Sequence, residues 1–139
     1  MPRTHGLNVS WVARALSGNP FSLLNGAVDP DLNGIQAEPL AAGEYTGNGR
    51  NAYTVKGYRS ERNGARGPGF FNLDMRIGYR LPLPGTRRIE IAADLFNLTN
   101  RTNFAVPTGN QTSPQFLLLT GYSTSYAPWK LQVGARVQF

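Results

Sequence analysis

The hydrophobic and polar positions of the last eleven residues alternate strictly. One set is apolar and the other is polar or glycine: Trp129, Leu131, Val133, Ala135, Val137 and Phe139 against Lys130, Gln132, Gly134, Arg136 and Gln138. Successive side chains of a strand point to opposite sides of its pleated backbone. The segment therefore predicts a β-strand with one apolar face and one polar face.

Three further segments show the same two-residue period. Together with the terminal segment they predict four strands, at about 7–17, 71–81, 88–98 and 129–139. The second and third strands are separated by PLPGTR at 82–87, whose prolines and glycine favour a tight turn. No segment has a convincing helical period, so the sequence predicts an all-β chain of antiparallel strands.

The lengths of the connecting segments indicate the medium in which these strands lie. About fifty residues separate the first two strands, from about Ser17 to Gly69, and about thirty lie between Thr99 and Ala127. Soluble domains seldom contain such loops, whereas outer-membrane barrels combine long extracellular loops with short periplasmic turns. Eleven residues at about 3.3 Å each, tilted by roughly 40°, rise about 28 Å, close to a barrel's apolar band of about 25 Å. The pattern favours a partial transmembrane β-barrel with two long extracellular loops.

The polar face of the predicted strands is rich in charge. It contains Asp74, Arg76, Arg80, Glu90, Asp94, Lys130 and Arg136. A dry core could not hold so many charges without extensive pairing, whereas a hydrated lumen can. A soluble β-sandwich binding module with a solvated polar face remains an alternative, which explains the strands but not the long loops.

Composition and motifs narrow the range of functions. The net charge is +6, but the basic residues are scattered, so no nucleic-acid partner is expected. The chain has no cysteine, which excludes disulfides, thiolate metal sites and cysteine nucleophiles. It also lacks a hydrolase elbow, a P-loop and a zinc-protease motif, so we do not expect an enzyme.

The first residues do not resemble a signal peptide. The apolar stretch is short and is interrupted by Arg14. If the protein lies outside the cytoplasm, we expect this sequence to be a piece of a longer, exported chain.

One loop segment has the spacing of calcium ligands. Asp29, Asp31, Asn33 and Gly34 match positions 1, 3, 5 and 6 of a calcium loop, but position 12 is Leu40 and Glu38 is displaced by two residues. The first interpretation is a turn shaped by Asp and Asn side chains, and the second is a calcium site. No other cofactor is expected.

Four segments in succession carry a family resemblance. They are LSGNPFSLLNG at 16–26, the strand within GPGFFNLDMRIGYR, DLFNLTNRTNF at 94–104, and the terminal aromatic strand. In this order they resemble the C-terminal portion of a TonB-dependent outer-membrane receptor, over nearly all of residues 1–139. More narrowly, they are similar to Oar-like receptors, which carry a carboxypeptidase-regulatory-like domain.

The resemblance implies a location in the cell outer membrane and a role in uptake. Such receptors form barrels of about 22 strands around an N-terminal plug, which this chain lacks. They import a scarce nutrient, such as a siderophore, vitamin or carbohydrate, with energy from TonB, which would act here only through the missing plug. The expected partners are membrane lipid, lipopolysaccharide and the barrel-assembly machinery. A passive or structural outer-membrane barrel protein is the alternative.

The resemblance also assigns roles to residues. The assembly signal would comprise Trp129, Leu131, Val133, Val137 and Phe139. Ligand recognition would involve aromatic and arginine side chains of the extracellular loops, namely Tyr45, Tyr53, Tyr58, Arg59, Phe116, Tyr122 and Tyr126. Aromatic residues with arginine suit a binding surface, but packing of the loops on one another is the more frequent use of any one of them.

Overall fold

The computed structural model describes residues 6–26 and 28–139. These residues form eight strands: β1 (Gly6–Leu16), β2 (Pro20–Phe21), β3 (Gly43–Thr46), β4 (Thr54–Tyr58), β5 (Ala65–Arg66), β6 (Phe70–Pro82), β7 (Arg88–Phe96) and β8 (Lys130–Gln138). No helix in the described ranges is long and apolar enough to cross a membrane. The chain divides into two compact units, which we name the sheet unit (residues 6–15, 71–102 and 127–139) and the loop unit (residues 16–70 and 103–126).

The sheet unit is built on the four long strands, in the order β1-β6-β7-β8. β7 pairs antiparallel with β6 on one side and with β8 on the other. Gly6 lies against Arg80 and Gly78 lies near Asn8, so β1 also runs antiparallel to β6. The all-β, antiparallel fold class predicted from the alternation is confirmed, and all four long strands lie within two residues of their predicted bounds.

The register of the sheet keeps apolar residues opposite apolar residues. Ala93 of β7 lies between Ile77 of β6 and Val133 of β8, and three further rows repeat this arrangement: Met75-Leu95-Leu131, Tyr79-Ile91-Ala135 and Leu81-Ile89-Val137. Directly paired residues of neighbouring strands point to the same side of a sheet. One face is therefore continuously apolar.

The opposite face of the sheet unit carries the charged rows. Arg76 contacts Asp94 with 3.3 Å between Nη1 and Oδ1, and Arg80 lies 3.8 Å from Glu90, measured from Nε to Oε1. Both pairs are direct cross-strand partners. The side chains remain partly exposed, so each pair contributes at most about 1 kcal/mol. Their main effect is to favour the register in which opposite charges meet.

Hydrogen bonds mark both ends of β7. The turn between β6 and β7 is closed by the Leu83 N–H, which donates to the Arg87 carbonyl at 3.0 Å, and Gly85 has a φ of 80°. At the other end of β7, the fully buried Asn97 donates from Nδ2 to the carbonyls of Arg101 (3.0 Å) and Ala127 (2.9 Å). Asn97 thus holds together the two ends of the 97–127 connection.

The loop unit has a hydrophobic core of its own. Its buried members are Leu23, Leu40, Val55, Tyr58, Ala65 and Leu117. β2 pairs with β5, β3 pairs with β4, and isolated bridges join Leu24 to Asn110 and Ala52 to Leu118. The two long segments were expected to be loops, yet together they form a folded body, because residues distant in sequence supply its core.

The facing of β8 leads to a first prediction. Val133 lies in the middle of the apolar face and is 66% exposed, so Val133→Arg places a charge near the bilayer midplane and lowers the free energy of unfolding by about 2–4 kcal/mol. Gln132 lies opposite Asp94 on the polar face, so Gln132→Arg has a much smaller effect. Guanidinium unfolding of the complete protein in lipid vesicles, followed by tryptophan fluorescence, measures both values. Equal losses would contradict the assignment of the faces.

Candidate functional site

Tyr58 is the central aromatic residue of the loop unit. Its side chain is 2% exposed, and its hydroxyl lies within hydrogen-bonding distance of the carbonyls of Leu23 (3.1 Å) and Glu61 (3.0 Å). Burial raises the pKa of the Tyr58 hydroxyl above its ordinary value. Tyr45 meets this ring edge-on, with 6.1 Å between the ring centroids.

Three more of the aromatic residues with a predicted ligand role pack against the same core: Tyr45, Tyr53 and Phe116. The Tyr45 hydroxyl donates to the Ala41 carbonyl at 2.8 Å, and the Tyr53 hydroxyl donates to the Arg66 carbonyl at 2.9 Å. Burial raises the pKa of Tyr53 as well. These residues fit the interpretation that the loops pack on one another, and a ligand role for them stays a prediction.

The other two aromatic residues with a predicted ligand role, Tyr122 and Tyr126, form a row with Phe104 in which Tyr122 is exposed and its neighbours are partly buried. Tyr122 stacks with Phe104 at 5.9 Å and with Tyr126 at 4.9 Å between centroids, with interplanar angles of 25° and 28°. We name Phe104, Tyr122 and Tyr126 the aromatic row. Although Tyr122 contacts both neighbours, it remains 62% exposed. Arg59 is exposed elsewhere in the loop unit.

Backbone hydrogen bonds fix the aromatic row. Phe104 and Tyr122 form an antiparallel bridge. The Ala105 N–H donates to the Gly121 carbonyl and the Ser123 N–H donates to the Asn103 carbonyl, both at 2.9 Å. A turn closed by the Tyr126 N–H and the Ser123 carbonyl, at 2.8 Å, returns the third ring to the second. The backbone that carries the three rings is thus fixed by hydrogen bonds.

The segment with calcium-like spacing forms a compact acidic turn. Carboxylate oxygens of Asp29, Asp31 and Glu38 lie within 4.8 Å of one another. Asp29 accepts the backbone N–H groups of Asn33 (3.0 Å) and Gly34 (2.8 Å). Asp31 accepts from the Asn33 backbone at 3.2 Å and from its side-chain amide at 2.9 Å. The carboxylates therefore shape the turn themselves.

The carboxylates of the acidic turn shift one another's pKa values. Desolvation and the adjacent Asp31 carboxylate raise the pKa of Glu38. At Asp31 desolvation acts in the same upward direction, but hydrogen bonds with Glu38, Asn33 and Asp29 outweigh it and lower the pKa. Glu38 therefore takes up a proton at a higher pH than Asp31 does, and protonation of Glu38 would compete with the binding of a cation.

Glu38 enters this cluster through backbone geometry. Leu32 and Ala37 have positive φ values of 58° and 74°, which bend the chain so that Glu38 returns toward Asp29. The sequence places Glu38 outside the expected ligand spacing, and neither Leu nor Ala signals a positive φ. The calcium interpretation of Asp29, Asp31 and Asn33 stays a prediction.

The residues of the predicted assembly signal lie in the sheet unit. Leu131, Val133 and Val137 pair with Leu95, Ala93 and Ile89 on the apolar face. Trp129 and Phe139 flank β8, and all five side chains are exposed. These residues thus contribute to a surface suited to lipid, and their recognition by the assembly machinery stays a prediction.

The family of the chain follows from a comparison with protein-family models. Residues 4–133 match the model described as "Outer membrane beta barrel domain", so the chain belongs to this family. The match decides for an outer-membrane barrel over a soluble β-sandwich, and it implies location in the outer membrane. No curated protein and no solved structure matches the chain.

Removal of the Tyr58 hydroxyl tests its contribution to the stability of the loop unit. Tyr58→Phe leaves the carbonyls of Leu23 and Glu61 without this donor and lowers the local stability of the loop unit by about 1 kcal/mol. Tyr122→Phe is the matched control, because no hydrogen bond within the described residues engages the Tyr122 hydroxyl. Hydrogen exchange of peptides spanning 53–65 measures the effect. Faster exchange in both variants, or in neither, would contradict the assignment.

The two interpretations of the acidic turn differ in their response to calcium. If the carboxylates serve the turn, Asp29→Ala speeds proteolysis between residues 28 and 36, because two backbone N–H groups lose their acceptor. Calcium or a chelator then leaves the wild-type cleavage rate unchanged. Limited proteolysis of the complete protein in outer-membrane vesicles measures these rates. Protection of the wild type by calcium, abolished in Asp31→Asn, would favour the cation site instead.

Proposed function

We propose that this chain is the C-terminal portion of a TonB-dependent outer-membrane receptor of the Oar-like kind. The receptor takes up a scarce nutrient of the siderophore, vitamin or carbohydrate class. Family membership supplies the outer-membrane barrel. The energised uptake rests on the four segments that resemble such receptors, together with the organisation of the loop unit.

The loop unit is the observation that carries the proposal. It comprises more than half of the chain and has its own buried core, including the fully buried Leu23 and Leu117. A diffusion pore needs a lumen and has no need of a folded body of this size. Binding residues are commonly placed on loops that a rigid scaffold positions. The loop unit presents the aromatic row, with the exposed Tyr122, on a packed scaffold of this kind, and it therefore favours a receptor.

The sheet unit supports the proposal through its two faces. The apolar face, with rows such as Ile77-Ala93-Val133, suits contact with membrane lipid and with lipopolysaccharide. The charged face suits a hydrated lumen filled by a plug, through which TonB would act. β8 and its flanking aromatics would be read by the barrel-assembly machinery. In this proposal the chain serves transport and is not an enzyme, and its partners include no nucleic acid.

A passive or structural outer-membrane barrel protein is the second candidate. It shares the fold and the membrane location, so the sheet unit fits it equally well. The two candidates differ in their energy requirement, because only an energised receptor depends on TonB.

Transport in the producing bacterium tests the proposal. Deleting the gene abolishes the accumulation of at least one radiolabelled nutrient from a panel of iron chelates, cobalamin and oligosaccharides at nanomolar concentration. Deleting TonB abolishes accumulation of the same nutrient, because concentrative uptake across this membrane needs energy. Re-expression of the gene in its own deletion strain is the control.

The outcomes separate the two candidates. Uptake that requires the gene and persists without TonB would overturn the energised receptor and favour a passive barrel. Uptake of every nutrient unchanged in the gene deletion would contradict a transport role altogether.

A further inference from the structure

A cavity adjoins the aromatic row within the loop unit. Its volume is about 220 Å³, and both long segments of the chain line it. The first long segment contributes Ser17 and Asn19, and the second contributes Phe104, Tyr122 and the segment 123–125, which reads Ser-Thr-Ser. Residues far apart in sequence thus place flat rings beside hydroxyl and amide groups.

The side chains around this cavity carry polar groups without formal charge. None of the described residues that line it is Asp, Glu, Lys or Arg. Within the described part of the chain, no hydrogen bond engages the side chains of Ser17, Asn19 or the segment 123–125. These groups can donate and accept hydrogen bonds to a bound molecule. The lining itself offers no countercharge to an ionised ligand, and it fits a neutral, polyhydroxylated ligand.

The aromatic row adds a requirement on ligand shape. Phe104 and Tyr126 each stack with Tyr122, which is still 62% exposed, so the three rings form a rigid aromatic cluster beside the cavity. A pyranose ring carries C–H groups on its faces and hydroxyls around its rim, which matches rings beside hydroxyl side chains. The volume of about 220 Å³ is below the roughly 300–1,000 Å³ of pockets for drug-sized ligands. The cavity therefore suits a sugar ring better than a bulky metal chelate.

We propose that this cavity and the aromatic row form a binding subsite for a neutral saccharide. The hydroxyl and amide side chains of both long segments hydrogen-bond the hydroxyls of one sugar ring, and the aromatic row contacts its C–H groups. Because the subsite joins the two long segments, a bound saccharide contacts both. This inference rests on the proposed function in that it names the ligand class of the receptor.

Binding to the complete protein, purified in detergent, tests the subsite. The probe is a panel of neutral glucan, mannan and xylan oligosaccharides with anionic oligosaccharides, ferric chelates and peptides for comparison. We expect at least one neutral oligosaccharide to bind. Tyr122→Ala lowers its affinity about tenfold or more, because a central aromatic contact is removed, whereas Tyr122→Phe keeps the ring and stays within about threefold.

Further variants test the polar residues of the cavity and the position of the binding site. Asn19→Ala combined with Ser125→Ala lowers the affinity for the same oligosaccharide, because both residues line the cavity and lose a hydrogen-bonding group. Leu32→Ala is the matched control, since Leu32 is 87% exposed in the same unit and does not line the cavity. Its affinity equals that of the wild type.

The contradicting results are distinct from those of the uptake experiment. No binding of a neutral oligosaccharide, binding of charged or peptide probes alone, or full affinity in Tyr122→Ala would each overturn the subsite. Binding to purified protein does not involve TonB. If the protein binds a saccharide but its transport persists without TonB, this inference stands and the energised receptor is overturned. If uptake requires TonB but no neutral saccharide binds, this inference alone is overturned.

Discussion

The pairing of β7 with both of its neighbours is the constraint on which the sheet unit depends. Every residue of β7 from Arg88 to Leu95 lies opposite a residue of β6 and a residue of β8. A shift of one residue against β6 would place Ile91 opposite Gly78 or Arg80 and exchange the two faces of the strand. In a bilayer, backbone groups must also find their partners within the sheet. One register therefore pairs the backbone hydrogen-bonding groups, places the opposite charges together and keeps the lipid-facing surface apolar.

The loop unit follows a different principle, since its stability comes from contacts between distant parts of the chain. Tyr58 is held against Leu23, and Leu117 from the second long segment completes their core. The same packing fixes the backbone on either side of the cavity. The function we propose thus uses a division of tasks: alternation supplies the membrane-spanning sheet, and long-range packing supplies a rigid binding surface.

The two principles explain how much the sequence could predict. The long strands were found with nearly correct bounds because one side of each strand must be apolar over its whole length, which leaves a two-residue period. The strands β2 to β5 contain two to five residues, which is too short for a period, and their pairing depends on partners such as Phe21 and Ala65. Composition could not separate the buried Tyr58 from the exposed Tyr122. Nothing in the sequence indicated that Glu38 lies close to Asp29, apart from its position two residues before the last ligand position of a calcium loop.

The central claim is that the two faces of the sheet unit meet different media, lipid on one side and water on the other. Residues 1–139 contain no cysteine, so single cysteines introduced along residues 131–137 can carry nitroxide labels without a competing thiol in this part of the chain. In the complete protein reconstituted in vesicles, collisions with oxygen and with a water-soluble nickel chelate should alternate along β8. The account predicts oxygen access at 131, 133, 135 and 137 and nickel access at 132, 134 and 136. Equal access to the nickel chelate at all seven positions would contradict it.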